Sequence, residues 1–222
     1  GPQLANDYPV FILDAALQQA ELVVIRMDTP GGLDASMRSI IKSIMNSPVP
    51  VASYVAPSGA RAASAGTYIM YASHVAAMAP GTNLGAATPV ELGGLPGTDD
   101  DETSKPDATE TKPSTTGAKQ SKLINDAAAY IRSLAKLRGR NIDWAEQSVR
   151  EAASLPAEEA LEKAVIDLLA KDLDALLLAL DGFEVKLPLG SRQLATQDLQ
   201  LETLEPDWRS ELLSLLSNPN VA

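Results

Sequence analysis

Two short segments carry the residue types that could do chemistry. Ala62-Ala63-Ser64-Ala65-Gly66-Thr67 sets one hydroxyl among side chains too small to cover it. Asp28-Thr29-Pro30-Gly31-Gly32 lies upstream, just past the apolar run Leu22-Val23-Val24-Ile25. Glycines there let backbone N–H groups approach a ligand with no Cβ in the way. An oxyanion hole requires such donors, fixed where negative charge will develop. A serine opening a helix would also bring its own amide and that of Ala65 to the positive helix end. Together the segments read as a nucleophile and an oxyanion site, and hence as acyl transfer. Each alone has a plainer reading, a strand-to-helix turn for the glycines and close helix packing for the small residues. Ser53 and Ser58 are nearby alternatives with fewer small neighbours.

A serine hydroxyl needs a base. His74 is the one histidine, and its place at a helix–strand junction reads as structural or surface. A lysine serves where burial or a positive dipole disfavours its charged form. Lys122 fits, as the last lysine before an apolar helical stripe, read as standing at a helix N-terminus. Lys105, Lys112 and Lys119 fall in polar sequence and read as solvated.

The elements that must position these residues follow from periodicity. Asp7-Tyr8-Pro9 resembles a helix entry, followed by Val10, Leu13, Leu17 and Ala20 at helical spacing. The run at Leu22 predicts a strand covered on both faces. A helix is expected on Met37, Ile40, Ile41, Ile44 and Met45, stopped by Ser47-Pro48. Residues 49–55 read as a second strand, 64–71 as a helix and 75–79 as a third strand. This order implies a parallel α/β sheet with crossover helices.

From Gly93 to Lys119 almost nothing can be buried, which predicts a mobile acidic loop. A long helix should resume around Lys122 and end at Gly139. Asp143-Trp144-Ala145-Glu146 has capping-box spacing. Residues 156–163 and 173–180 are further helical patterns. Residues 184–204 alternate around turn signals, as a hairpin would, and Asp207-Trp208 opens an amphipathic helix.

The 222-residue chain can bury a sizeable core, and its net charge of −11 argues against nucleic acid or an anionic membrane as partner. Six of its acidic residues fall between Asp99 and Glu110. Absence of cysteine excludes disulfides and thiolate sites. No histidine cluster, calcium loop or phosphate loop is present, so neither metal nor cofactor is expected. No apolar run reaches the roughly 18 residues a membrane span needs.

Residues 22–32 (LVVIRMDTPGG), 59–68 (GARAASAGTY) and 78–86 (MAPGTNLGA) resemble the NfeD family, membrane-bound serine proteases encoded beside stomatins. The likeness continues through residues 122–135 (KLINDAAAYIRSLA), 139–144 and 155–167 (LPAEEALEKAVID). It implies a Clp protease/crotonase-like fold with a mostly parallel sheet, a small C-terminal hairpin and a helix. Ser64 matches the family nucleophile and Lys122 its general base. Gly32 and Ala65 match the amides of the oxyanion hole, and Gly31 and Leu33 are expected to contact substrate. Clp proteases use a histidine that would fall near Ala86, and its absence agrees with a Ser–Lys dyad.

The resemblance further implies a protease domain over residues 1–182, a hairpin extension over 183–205, and a helix over 206–222 leading toward a membrane region absent from this chain. It implies an extracytoplasmic setting, homo-oligomers, and hydrophobic substrate segments near the C-terminus of a stomatin-like partner. Two rival functions remain. One is a non-hydrolytic scaffold for stomatin-like assemblies. The other is a crotonase-type acyl-CoA enzyme, which would usually want a catalytic carboxylate and a basic phosphate site, and no clear basic patch is visible.

Overall fold

The computed structural model describes residues 20–89, 115–188, 190–197 and 199–203. The helices expected from Asp7 and from Asp207 lie outside the described residues, as does most of the expected loop.

Four parallel strands form the main sheet, in the order β1 (Val23–Met27), β2 (Val51–Val55), β4 (Val75–Met78), β7 (Leu168–Leu169). Alternation along β2 explains its unbroken apolar run. Val51 and Val55 face one core with Ile41, Ile44, Met70 and Ile131, whereas Ala52 and Tyr54 face a second with Leu176 and Leu180. Burying both faces removes the polar alternation of a half-exposed strand.

Helix α1 (Asp34–Met45) buries Met37, Ile40, Ile41 and Ile44 on the first face. Each such side chain contributes roughly 1.5–3 kcal/mol when fully buried. Helix α2 (Ala65–Ala72) is buried on every side, so its flanking backbone has little freedom to shift. Over α2 pack α3 (Thr115–Arg138) and α4 (Ile142–Arg150). Tyr71 of α2 stacks on Trp144 of α4 with centroids 6.2 Å apart.

A second sheet was not anticipated. Its strands β3 (Arg61–Ala63), β5 (Asn83–Gly85) and β6 (Ser154–Pro156) have three residues each, too few to show a period. β3 and β5 pair in parallel, β5 and β6 antiparallel. Helix α5 (Ala157–Glu162) and α6 (Leu173–Leu180) follow. The hairpin of β8 (Glu184–Leu187) and β9 (Gly190–Gln193) forms as expected. Its Val185, with Leu194 just beyond it, completes the second core. Glu21 accepts hydrogen bonds from Arg192 and from the Ala195 amide, tying this end of the chain to the first strand.

Two expected boundaries are corrected. Helix α3 already runs from Thr115, so the loop does not extend to Lys119 and Lys122 is in the third turn rather than at an N-terminus. Among the described side chains of α3 the first buried one is Ala127, and an apolar stripe cannot reveal the turns before burial begins. The cap of α4 is Asn141, whose Oδ1 accepts from Trp144 N at 2.8 Å, not Asp143.

Candidate active site

The two motifs meet because the chain after β1 is stitched to β3. Thr29 N donates to Arg61 O at 2.7 Å and Ala63 N donates to Thr29 O at 3.0 Å, a parallel bridge between Thr29 and Ala62. Asp28 Oδ1 accepts from Arg61 N at 3.1 Å. The Thr29 hydroxyl accepts from Gly31 N at 3.1 Å, donates to Gly31 O at 2.8 Å, and so fixes the turn into the glycine pair.

Ser64 stands between β3 and α2 with φ 50° and ψ −113°. A non-glycine residue at positive φ stores strain of about 1–2 kcal/mol and persists only where its surroundings over-determine it. Here the surroundings do. Ser64 N donates to Gly85 O at 3.0 Å, and Thr67 N donates to Ser64 O at 3.0 Å. Thr67 Oγ1 lies 2.9 Å from Ala62 O and 3.1 Å from Gly85 O, and accepts from Gly85 N at 3.0 Å. Gly66 allows α2 to press on the first strand, for a Cβ there would meet Thr29 Cγ2 at 2.8 Å.

This is strand–turn–helix geometry that lifts a serine hydroxyl clear of its own backbone. Ser64, Ala65 and Gly32 line one cleft of about 150 Å³, together with Met37, Tyr68, Ala87 and Tyr130. Among the described residues, the Ser64 hydroxyl and the Gly32 and Ala65 amides have no hydrogen-bond partner. The Ser64 amide is committed to Gly85, so it cannot be the free donor that the sequence suggested. Ser53, an alternative nucleophile by sequence, is fully buried with its hydroxyl 2.6 Å from that of Ser73.

The far end of α2 is held by cations. Arg138 Nε donates to Ala72 O at 2.7 Å, and Arg140 Nη1 donates to the Met70, Tyr71 and Ser73 carbonyls. Burial, then the neighbouring Arg140 charge, lowers Arg138 to about 10. Arg140 also pairs with Asp167. With the carbonyl end satisfied, the amide end at Ala65 favours an anion. His74 sits beside these arginines, its Nδ1 accepting from Val51 N at 3.2 Å. Burial, then the Arg138 and Arg140 charges, pushes it down to about 3. It is a neutral structural histidine.

Gly31 lies against Ser64, and Leu33 is an exposed residue just before α1. Lys122 is exposed on α3 and does not line the cleft; Asp126, one turn further on, binds a cleft residue. That residue, Arg38, was missed by sequence reasoning, as were Tyr68 and Tyr130. Asp34 and Arg38 read as an ordinary surface pair four apart on one helix, while the contacts with α3 span distant sequence. Burial first, then Asp34, raises the Tyr68 hydroxyl above the usual tyrosine range. It therefore stays protonated and donates to Ala87 O at 3.1 Å.

Fold and site define an α/β domain that presents a strained serine beside backbone amides unpaired among the described residues. The chain belongs to the NfeD1b family, whose N-terminal domain model matches residues 11–181. The membrane-bound protease PH1510 of Pyrococcus horikoshii is 38% identical over 219 residues, covering 98% of this chain and 46% of that protein, so the chain spans about half the relative's length. A solved 1510-N membrane-bound stomatin-specific protease, a lysine-to-alanine variant in complex with a substrate peptide, superposes with a TM-score of 0.80. That pair is 35% identical over 97% of this chain and 92% of the other. A serine-to-alanine variant gives 0.77, with 35% identity and 93% of each chain covered. The mostly parallel sheet with crossover helices is the fold of those protease domains.

Proposed function

We propose that this chain is a serine endopeptidase domain using a Ser64–Lys122 dyad. The observation that carries this is Ser64 at φ 50° in a cleft with the unpaired Ala65 and Gly32 amides. Lys122 takes the Ser64 proton as Oγ bonds to the scissile carbonyl carbon. The carbonyl electrons move to oxygen, where Gly32 and Ala65 N–H groups hold them. Collapse expels the amine, which leaves with the proton carried by Lys122. Water then cleaves the acyl-enzyme with the same lysine as base. Gly31 and Leu33, at the cleft margin, are assigned to substrate backbone and side chain.

The apolar wall of Met37, Tyr68, Ala87 and Tyr130 suits hydrophobic segments. The solved 1510-N relative is named as stomatin-specific, which supports a stomatin-like membrane protein as substrate. Among the described residues no helix is long and apolar enough to cross a membrane; the relative PH1510, about twice this length, is named as membrane-bound, which supports attachment through segments outside this chain. The extracytoplasmic face and a homo-oligomer remain parts of this reading. The rival scaffold role is favoured by one observation, the exposure of Lys122 outside the cleft.

Intact-mass labelling with a fluorophosphonate across pH 6 to 9 separates the two. A single adduct that grows with pH and disappears in Ser64→Ala and Lys122→Ala is expected. No adduct in the wild type, in the presence of a long apolar peptide or without it, favours the scaffold.

A further inference from the structure

Three helices meet at the cleft through a chain of three side chains. Arg38 of α1 donates from Nε to Asp34 Oδ2 at 2.9 Å and from Nη2 to Asp126 Oδ2 of α3 at 2.9 Å. Its guanidinium carbon lies 4.5 Å from the centre of the Tyr130 ring, also on α3. Tyr130 in turn stacks on Tyr68 of α2, centroids 6.1 Å apart and planes 23° from parallel. All three of these side chains line the cleft that holds Ser64.

Such a network stabilises the fold little. The side chains of Arg38, Asp34 and Asp126 are 41%, 69% and 68% exposed, and pairs this wet contribute about 0–1 kcal/mol. A cation over an exposed ring adds about 0.5–1 kcal/mol. What the network does accomplish is geometric. The turns of α3 before Ala127 are mostly exposed, so packing alone does not fix them. The side-chain ties that reach them from elsewhere include Gln120 Nε2 donating to Pro89 O at a long 3.4 Å and Arg150 Nη1 donating to Asn125 Oδ1 at 2.9 Å. The tie from the oxyanion side comes from Arg38, on the helix that begins two residues after Gly32. It lands on Asp126, which shares a helix face with Lys122 four residues earlier.

We infer that Arg38 is a positioning residue, clasping α3 to α1 at Asp126 so that Lys122, one turn earlier, is held within reach of Ser64. This rests on the dyad reading above. The planar fork suits the task, since it reaches two carboxylates in fixed directions while lying flat on a ring. A lysine could satisfy one carboxylate but not both with the stack.

The test combines two readouts in wild type, Arg38→Met, Arg38→Lys, Asp126→Asn and the Arg38→Met/Asp126→Asn double variant. Hydrogen exchange should speed up across residues 118–126 in Arg38→Met while the thermal midpoint hardly moves. The maximal rate of fluorophosphonate acylation should fall about tenfold, as misplacement of a catalytic group does, with the probe's half-saturating concentration unchanged. Arg38→Lys should recover part of the rate, and the double variant should be no worse than Arg38→Met. A raised half-saturation with an intact maximal rate would make Arg38 a substrate contact and overturn the inference. So would unchanged exchange. If the wild type takes no label, the protease reading falls and exchange alone decides the clasp.

Discussion

A Cβ placed on Gly31 would stand 3.1 Å from Ser64 Cβ and 3.6 Å from its Oγ. The two motifs therefore meet backbone to side chain, so closely that a methyl group between them would have to push Ser64 by a few tenths of an ångström. Gly31 also has φ 141°, a conformation that other residues rarely adopt. Gly31→Ala should cut acylation of Ser64 by at least tenfold, because relief of either conflict moves the serine or the Gly32 amide. Labelling kinetics at a fixed probe concentration check this, and a wild-type rate would show that the contact is slack.

Strain at Ser64 separates two substitutions that the dyad reading makes equally inactive. Ser64→Ala keeps a Cβ at φ 50° and should match the wild type in stability. Ser64→Gly relaxes that residue and should gain about 1 kcal/mol relative to Ser64→Ala. Urea denaturation of the pair measures the difference. Equal midpoints would mean that the backbone holds no strain there.

Thr67 is the hub beneath the serine turn. Thr67→Val preserves shape but removes the hydroxyl that serves Gly85 N and the Ala62 and Gly85 carbonyls. Leaving buried groups unpaired should cost about 1–3 kcal/mol. Acylation should slow as well, because Gly85 O also holds the Ser64 amide. A stability loss with an unaltered acylation rate would uncouple the hub from the site.

His74 gives the fold an acid limit. Its value falls from 6.5 to about 3 in the folded chain, so between those limits the unfolded chain binds more protons. Its contribution is complete above pH 6.5 and is lost as pH falls toward 3, with a slope up to about 1.4 kcal/mol per pH unit. In His74→Asn, stability between pH 6.5 and 5 should fall less steeply than in the wild type. Denaturant titrations at several pH values decide it, and parallel curves would remove His74 from the acid response.

The sequence was most legible where burial is two-sided or the helix stripe is long. β1, β2 and α1 were visible as runs and periods because Val51, Ile41 and their neighbours have no polar duties. Ser64 stood out through the small size of Ala62, Ala63, Ala65 and Gly66. Its left-handed backbone did not, for that conformation is imposed by Gly85 and Thr67 through contacts no local pattern encodes. β3, β5 and β6 were hidden by brevity, and the start of α3 by exposure. Arg38 was hidden because its partner Asp126 lies 88 residues away.

The supports of the serine turn also set a timetable. Ser64 leans on Gly85, a Cβ on which would collide with Ala153 O and Ser154, and the next two amides donate to Ala153 O and Ser148 O. During synthesis, then, Ser64 leaves the ribosome long before the strand that braces it. Until β6 arrives, the turn has only part of its scaffold and the chain is a protein with an ordinary serine. On the dyad reading, the order of the sequence thereby withholds the nucleophile until β6 has been made.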